Sequence, residues 1–148
     1  MELRQPLVER TTPPAAQWES ISLDLLQTLT EIGHVAAGCG WQQRAEAIFE
    51  GIIAVRPGSE SPWIAYAIAK ISLGQLSEAF EMLAKRALVL NPKSDLAKAF
   101  LGLILSRVGS RGMAEYFLNQ VIEEDGTAEA VQIAKEILKK QDEGWGKR

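Results

Sequence analysis

His34, Cys39 and the run Glu123-Glu124-Asp125 are the side chains whose types could support catalysis or metal binding. A metal centre needs three or four ligands brought together, and one histidine with one cysteine does not supply them. Cys39 lies between Gly38 and Gly40 with no base near it in sequence. It reads as a small turn residue and not as an activated nucleophile. Paired carboxylates do acid–base work when they converge on one substrate. Neighbours on a helix point in different directions, so the acidic run reads as a solvated face. Gly38-Cys39-Gly40 lacks the preceding strand and following Lys-Ser/Thr of a phosphate loop. His34 reads as a groove residue or a satisfied structural histidine. No catalytic residue, metal ligand or cofactor is expected.

The wider composition points the same way. The net charge is −3, and the one dense cationic patch is Lys139-Lys140, with Lys147-Arg148 at the end. A nucleic-acid surface requires clustered Lys and Arg, so no nucleic-acid partner is expected. No stretch reaches the roughly 18 apolar residues of a membrane helix, and Met1 to Gln17 has no apolar core of signal length. The single cysteine allows no internal disulfide, and the expected compartment is the cytoplasm.

The elements that must position any site are helices arranged by an internal repeat. A Gly–x4–Ala pair recurs at Gly40/Ala45, Gly74/Ala79 and Gly109/Ala114, in steps of 34 and 35 residues. Pro57 and Pro92 follow the first two pairs, and Gly126 takes that place after the third. A period of about 34 residues predicts stacked helical hairpins, a scaffold that holds other chains more often than it performs chemistry. The predicted organisation is a flexible arm over 1–14, a helical domain over 15–141 and a flexible tail over 142–148. The first helix starts near Ala15 or Trp18 and carries Leu25, Leu26, Leu29, Ile32 and Gly33 on one face. The second runs from Gln42 to Val55. Ser61, Ser77 and either Ser94 or Asp95 are the expected caps of the next three helices. A last helix, Thr127 to Gln141, caps the array. Repeat two has one residue too many between Leu83 and Pro92, which predicts an altered helix or exit turn there. Trp41 and Trp145 are the tryptophans with the least obvious packing partners.

On these residues the chain resembles the tetratricopeptide repeat. Repeat one supplies Leu29, Ile32, Gly33, Ala45, Phe49, Ile52 and Pro57. Repeat two supplies Trp63, Tyr66, Ala67, Gly74, Ala79, Leu83, Ala87 and Pro92. Repeat three supplies Leu101, Gly102, Leu105, Ala114, Leu118 and Val121, with Lys98 where a bulky residue belongs. The resemblance implies an all-α fold: three hairpins and a C-terminal capping helix in a right-handed superhelix. It further implies a concave groove lined by the first helices, at Thr30 and His34, at Ile64, Ile68 and Ile71, and at Leu96, Ala99 and Leu103. These residues lack the Lys, Asn and Arg with which some members clamp a C-terminal carboxylate. An aliphatic groove suits the apolar face of a helix or another hydrophobic segment. Among small members of the family the chain resembles cytosolic chaperones of bacterial type III secretion that hold needle or pilus-type subunits. A homodimer, or a structural adaptor within a hetero-oligomer, is the alternative reading.

Overall fold

A computed structural model of the chain describes residues 21–144, which form seven helices and no strand. The expected arm over 1–14, the start of the first helix near Ala15 and Trp145 lie outside the described residues. The helices are α1 (Leu23–Gly38), α2 (Gln42–Val55), α3 (Ser61–Ser72), α4 (76–90), α5 (Asp95–Arg107), α6 (Arg111–Glu123) and α7 (Ala128–Asp142). Helices α1/α2, α3/α4 and α5/α6 pack as hairpins. Each first helix also touches the next first helix, and each second helix touches the next hairpin's first helix. Helix α7 packs on both α5 and α6, as a cap over the last hairpin.

The repeated glycines close these hairpins in one way. Gly40, Gly74 and Gly109 have φ of 76°, 75° and 85°, a left-handed conformation that costs other residues about 1–2 kcal/mol. The amide after each reaches back five residues, Trp41 to Ala36, Gln75 to Lys70 and Ser110 to Leu105, at 2.8–2.9 Å. This shared turn sets where the next helix begins. Helix α4 therefore starts at Leu76, with Gln75 at the cap position, and Ser77 is already helical. Helix α3 likewise starts at Ser61 behind Glu60, one residue earlier than a Ser61 cap would give. Ser94 does cap α5, accepting from the Ala97 amide. After α6 the left-handed position falls on Asp125, φ 50°. Gly126 is needed there for room, since a Cβ would lie 2.9 Å from the Asp95 carboxylate and 3.0 Å from the Val121 carbonyl.

The three hairpins share a core register. Ala45, Ala79 and Ala114 are fully buried, and so are Phe49, Leu83 and Leu118 one turn later. Each of these large side chains packs where the facing first helix carries Gly33, Ala67 or Gly102. The extra residue of repeat two is absorbed inside α4. That helix is α-helical over Leu76–Met82, widens to a π turn over Leu83–Ala87 and returns to α over Leu88–Leu90. A π turn holds one more residue than an α turn. Leu83 and Ala87 therefore both stay buried, while Arg86 is turned outward over the Trp63 ring, 5.4 Å from its centroid. Deleting Arg86 is expected to convert α4 to continuous α-helix and to change stability by less than about 1 kcal/mol, the worth of that cation–π contact. Deleting Gln120 from α6, which has no π turn, rotates Val121 out of the core by about 100° and should cost about 2–4 kcal/mol. Urea unfolding of the two deletion variants checks the contrast.

Candidate functional site

The expected groove residues lie along the first helices at equivalent positions, Thr30/Ile64/Ala99 and His34/Ile68/Leu103, but they are not equally available. Ile64 and Ile71 are buried in the core that joins the second hairpin to α5. Ala99 is fully buried against Ala114, Leu118, Ala130 and Ala134. Close approach of the neighbouring helices covers these three side chains. Ile68, Leu96 and Leu103 remain partly exposed, each resting on the core below. Thr30 is half-buried and its hydroxyl donates back to the Leu26 carbonyl at 2.8 Å. His34 is a satisfied structural residue. Its Nε2–H donates to the Ala65 carbonyl at 2.9 Å, and its ring lies 5.3 Å from that of Phe49, which stacks in turn on Tyr66. It ties α1 to α3.

Helix α1 differs from expectation in the face it buries. Leu26 and Gly33 point inward, whereas Leu25, Ile32 and Val35 are exposed. In the next hairpins the residues equivalent to Ile32 and Val35 are Tyr66 and Ala69, then Leu101 and Ile104, all 5% exposed or less. Those side chains pack against the preceding hairpin, and no described helix precedes α1 to play that part. The periodicity of α1 predicts one broad apolar face, but the helix has two, and only one meets α2 and α3.

A buried cation at the first hairpin junction was not singled out in the sequence. Lys70 is 2% exposed, and its Nζ meets Glu46 Oε1 and Glu78 Oε2 at 2.7 Å and Gln75 Oε1 at 2.9 Å. One ammonium thus links α2, α3 and α4. Burial alone would lower the Lys70 pKa, but the hydrogen bonds to Glu46 and Glu78 outweigh it and hold the pKa above its ordinary value. The hydrogen bond from Lys70 draws the Glu46 carboxyl below its ordinary 4.5. The depressed acid contributes stability that is complete above about pH 4.5 and is lost as pH falls through the lower folded value. Glu46→Gln should therefore destabilise at pH 7 and flatten the loss of stability below pH 4.5, as read by urea unfolding across pH. At the next junction the equivalents of Lys70 and Glu46 are Leu105 and Phe80. They line an apolar cleft of about 330 Å³ together with Leu76, Ile104 and Val108.

Lys98 shows how a lysine occupies a bulky apolar position. It is 8% exposed, with its stem in the core and Nζ 3.2 Å from Glu124 Oε2. The acidic run at the end of α6 is thus partly engaged, though Glu123, Glu124 and Asp125 are exposed. Cys39 is exposed in its turn. Trp41 is about half exposed, with the Arg44 guanidinium 5.0 Å from its ring centroid. Among the described residues no three His, Cys, Asp or Glu side chains come together as a metal site, and no helix is long and apolar enough to cross a membrane. No model of a known protein family and no curated protein matches this chain.

Proposed function

We propose that this protein is a non-catalytic protein-binding module of the tetratricopeptide-repeat kind, a cytosolic chaperone of type III secretion. It holds a hydrophobic helical segment of a client along the concave side of a right-handed superhelix. The observation that carries the reading is the row of partly exposed apolar side chains, Ile68, Leu96 and Leu103, on successive first helices. Such a row, rimmed by polar residues, fits the apolar face of an amphipathic helix. The three hairpins with a common close-packed register support the scaffold part of the reading.

Ile68→Asp and Leu103→Asp are expected to abolish client capture while leaving helicity unchanged by circular dichroism. Affinity purification from the native host, with mass spectrometry of small co-eluting proteins, should recover a stoichiometric partner with the wild-type chain and lose it with either variant. Retention of the partner by both variants would sink the groove assignment. The exposed Leu25, Ile32 and Val35 favour the second reading, a self-associating adaptor. Light scattering separates the two. A stable homodimer broken by Ile32→Asp supports the adaptor, and an aggregation-prone monomer rescued by co-expressed client supports the chaperone.

A further inference from the structure

We propose that the cleft bounded by the start of α1, the end of α2 and the start of α3 binds a carboxylate of the partner, with Arg56 as its principal ligand. The proposal rests on the protein-binding reading above and adds to it the chemistry of one partner group. Arg56 is the residue that ends α2. Its Nη2 donates to the Ile21 carbonyl at 3.3 Å, while its Nε is sealed from solvent and has no acceptor among the described residues. No described carboxylate lies within ion-pair distance of this guanidinium. Guanidinium is always charged and presents its donors as a rigid fork, and with Nε sealed it is the Nη end that is left to meet an incoming acceptor.

The space beside it supplies the rest of a site. Arg56 lines a cleft of about 280 Å³ with Gln27, Thr30, Ser59, Ser61 and Ile52. The Thr30 hydroxyl spends its proton on the Leu26 carbonyl, and Ser59 Oγ receives the Ser61 amide at 3.4 Å. The hydroxyl of Ser61 and the amide of Gln27 can donate to an incoming oxygen. The first turn of α3 opens on the cleft through Ser61 and Pro62, and its dipole favours negative charge. The carboxylate nearest in sequence, Glu60, is engaged by Asn91 Nδ2 at 3.0 Å. One fixed cation, with a fork matched to two coplanar oxygens, suits a carboxylate. The small volume and the aliphatic lining of Leu26 and Ile52 suit one side chain or chain end and not a whole ligand. The carboxylate can be a Glu or Asp side chain or a chain terminus.

The test reads the Arg56 Nε–H signal of the full chain by nitrogen-15 NMR. The probes are N-acetylglutamate α-amide, N-acetylleucine and, as control, N-acetylglutamine α-amide, at constant ionic strength. The glutamate probe, the leucine probe or both should shift this signal saturably, and which one does identifies a side-chain or terminal carboxylate. The glutamine probe should leave it in place. Arg56→Lys should abolish saturable shifts of the Ser59 and Ser61 amides. Ser61→Ala, which retains Arg56 and removes a free hydroxyl donor, should weaken binding several-fold. Equal shifts with the neutral probe, or no saturable shift with either acid, would overturn the proposal. So would binding that appears only after Glu19→Gln, since the chain's own residues 1–20 would then be the occupant. The probes need no client, so their failure leaves the groove reading intact. Loss of client with Ile68→Asp at unchanged probe affinity separates the two in the other direction.

Discussion

Lys70→Ala is expected to lower the unfolding free energy by about 2–4 kcal/mol, measured by urea unfolding at pH 7. Removing one member of a buried ionic group costs about 3–5 kcal/mol when the remaining charges are trapped. Here Glu46 and Glu78 keep 28% and 57% of their side-chain surface, so water takes over part of the loss. The lysine side chain, almost wholly buried with its Nζ 5.4 Å from the Tyr66 ring centroid, adds a cavity to the cost. The next junction shows what an uncharged solution looks like, with Phe80 and Leu105 in the places of Glu46 and Lys70. Transplanting that pair as Glu46→Phe with Lys70→Leu should recover most of the loss, because apolar groups of similar volume commonly replace a buried ionic group without penalty. A double variant no more stable than Lys70→Ala would mean that the ammonium does more than fill and pair.

Gly102→Val should cost about 3 kcal/mol, the upper part of the usual range for overpacking. A Cβ built on Gly102 falls 2.4 Å from Leu118 Cδ2 and 2.6 Å from its Cγ, and Leu118 is fully buried in α6. The branch point of a leucine cannot retreat as the far end of a flexible side chain can, so α5 and α6 must separate. Leu118→Ala alone opens a cavity and costs about 2–5 kcal/mol. The combined variant should be more stable than the two losses added together, with a coupling of at least about 1 kcal/mol. Additive losses would show that the glycine is not there to admit Leu118. Gly33 faces Phe49 with a Cβ distance of 2.7 Å, so the same experiment in the first hairpin should give the same sign.

Much of this packing was legible as spacing. Gly33, Ala67 and Gly102 recur in step with Phe49, Leu83 and Leu118 because a small residue must stand wherever two helix axes come close. The one extra residue in repeat two was visible as a count. Its location in a π turn was not, because several backbones between Leu83 and Pro92 satisfy the same count. The groove was legible as a set of positions and illegible as a surface. Thr30, Ile64 and Ala99 are equivalent in register, yet how deeply each is buried depends on how closely the neighbouring helices approach. The Arg56 cleft had no sequence signal at all, since Thr30, Arg56 and Ser61 come from three elements and share no period.

The sequence by itself determined the all-helical class, the hairpin period and the small-against-large contacts within each pair, since these follow from local spacing and from glycine's access to a left-handed turn. Only the tertiary structure decided which apolar residues stay at the surface. It alone placed the charges of Lys70 and Lys98 in the interior and put Arg56 at the mouth of a cleft. Burial and ion pairing depend on distances between helices, and a linear pattern carries direction around one helix axis but no distance to the next.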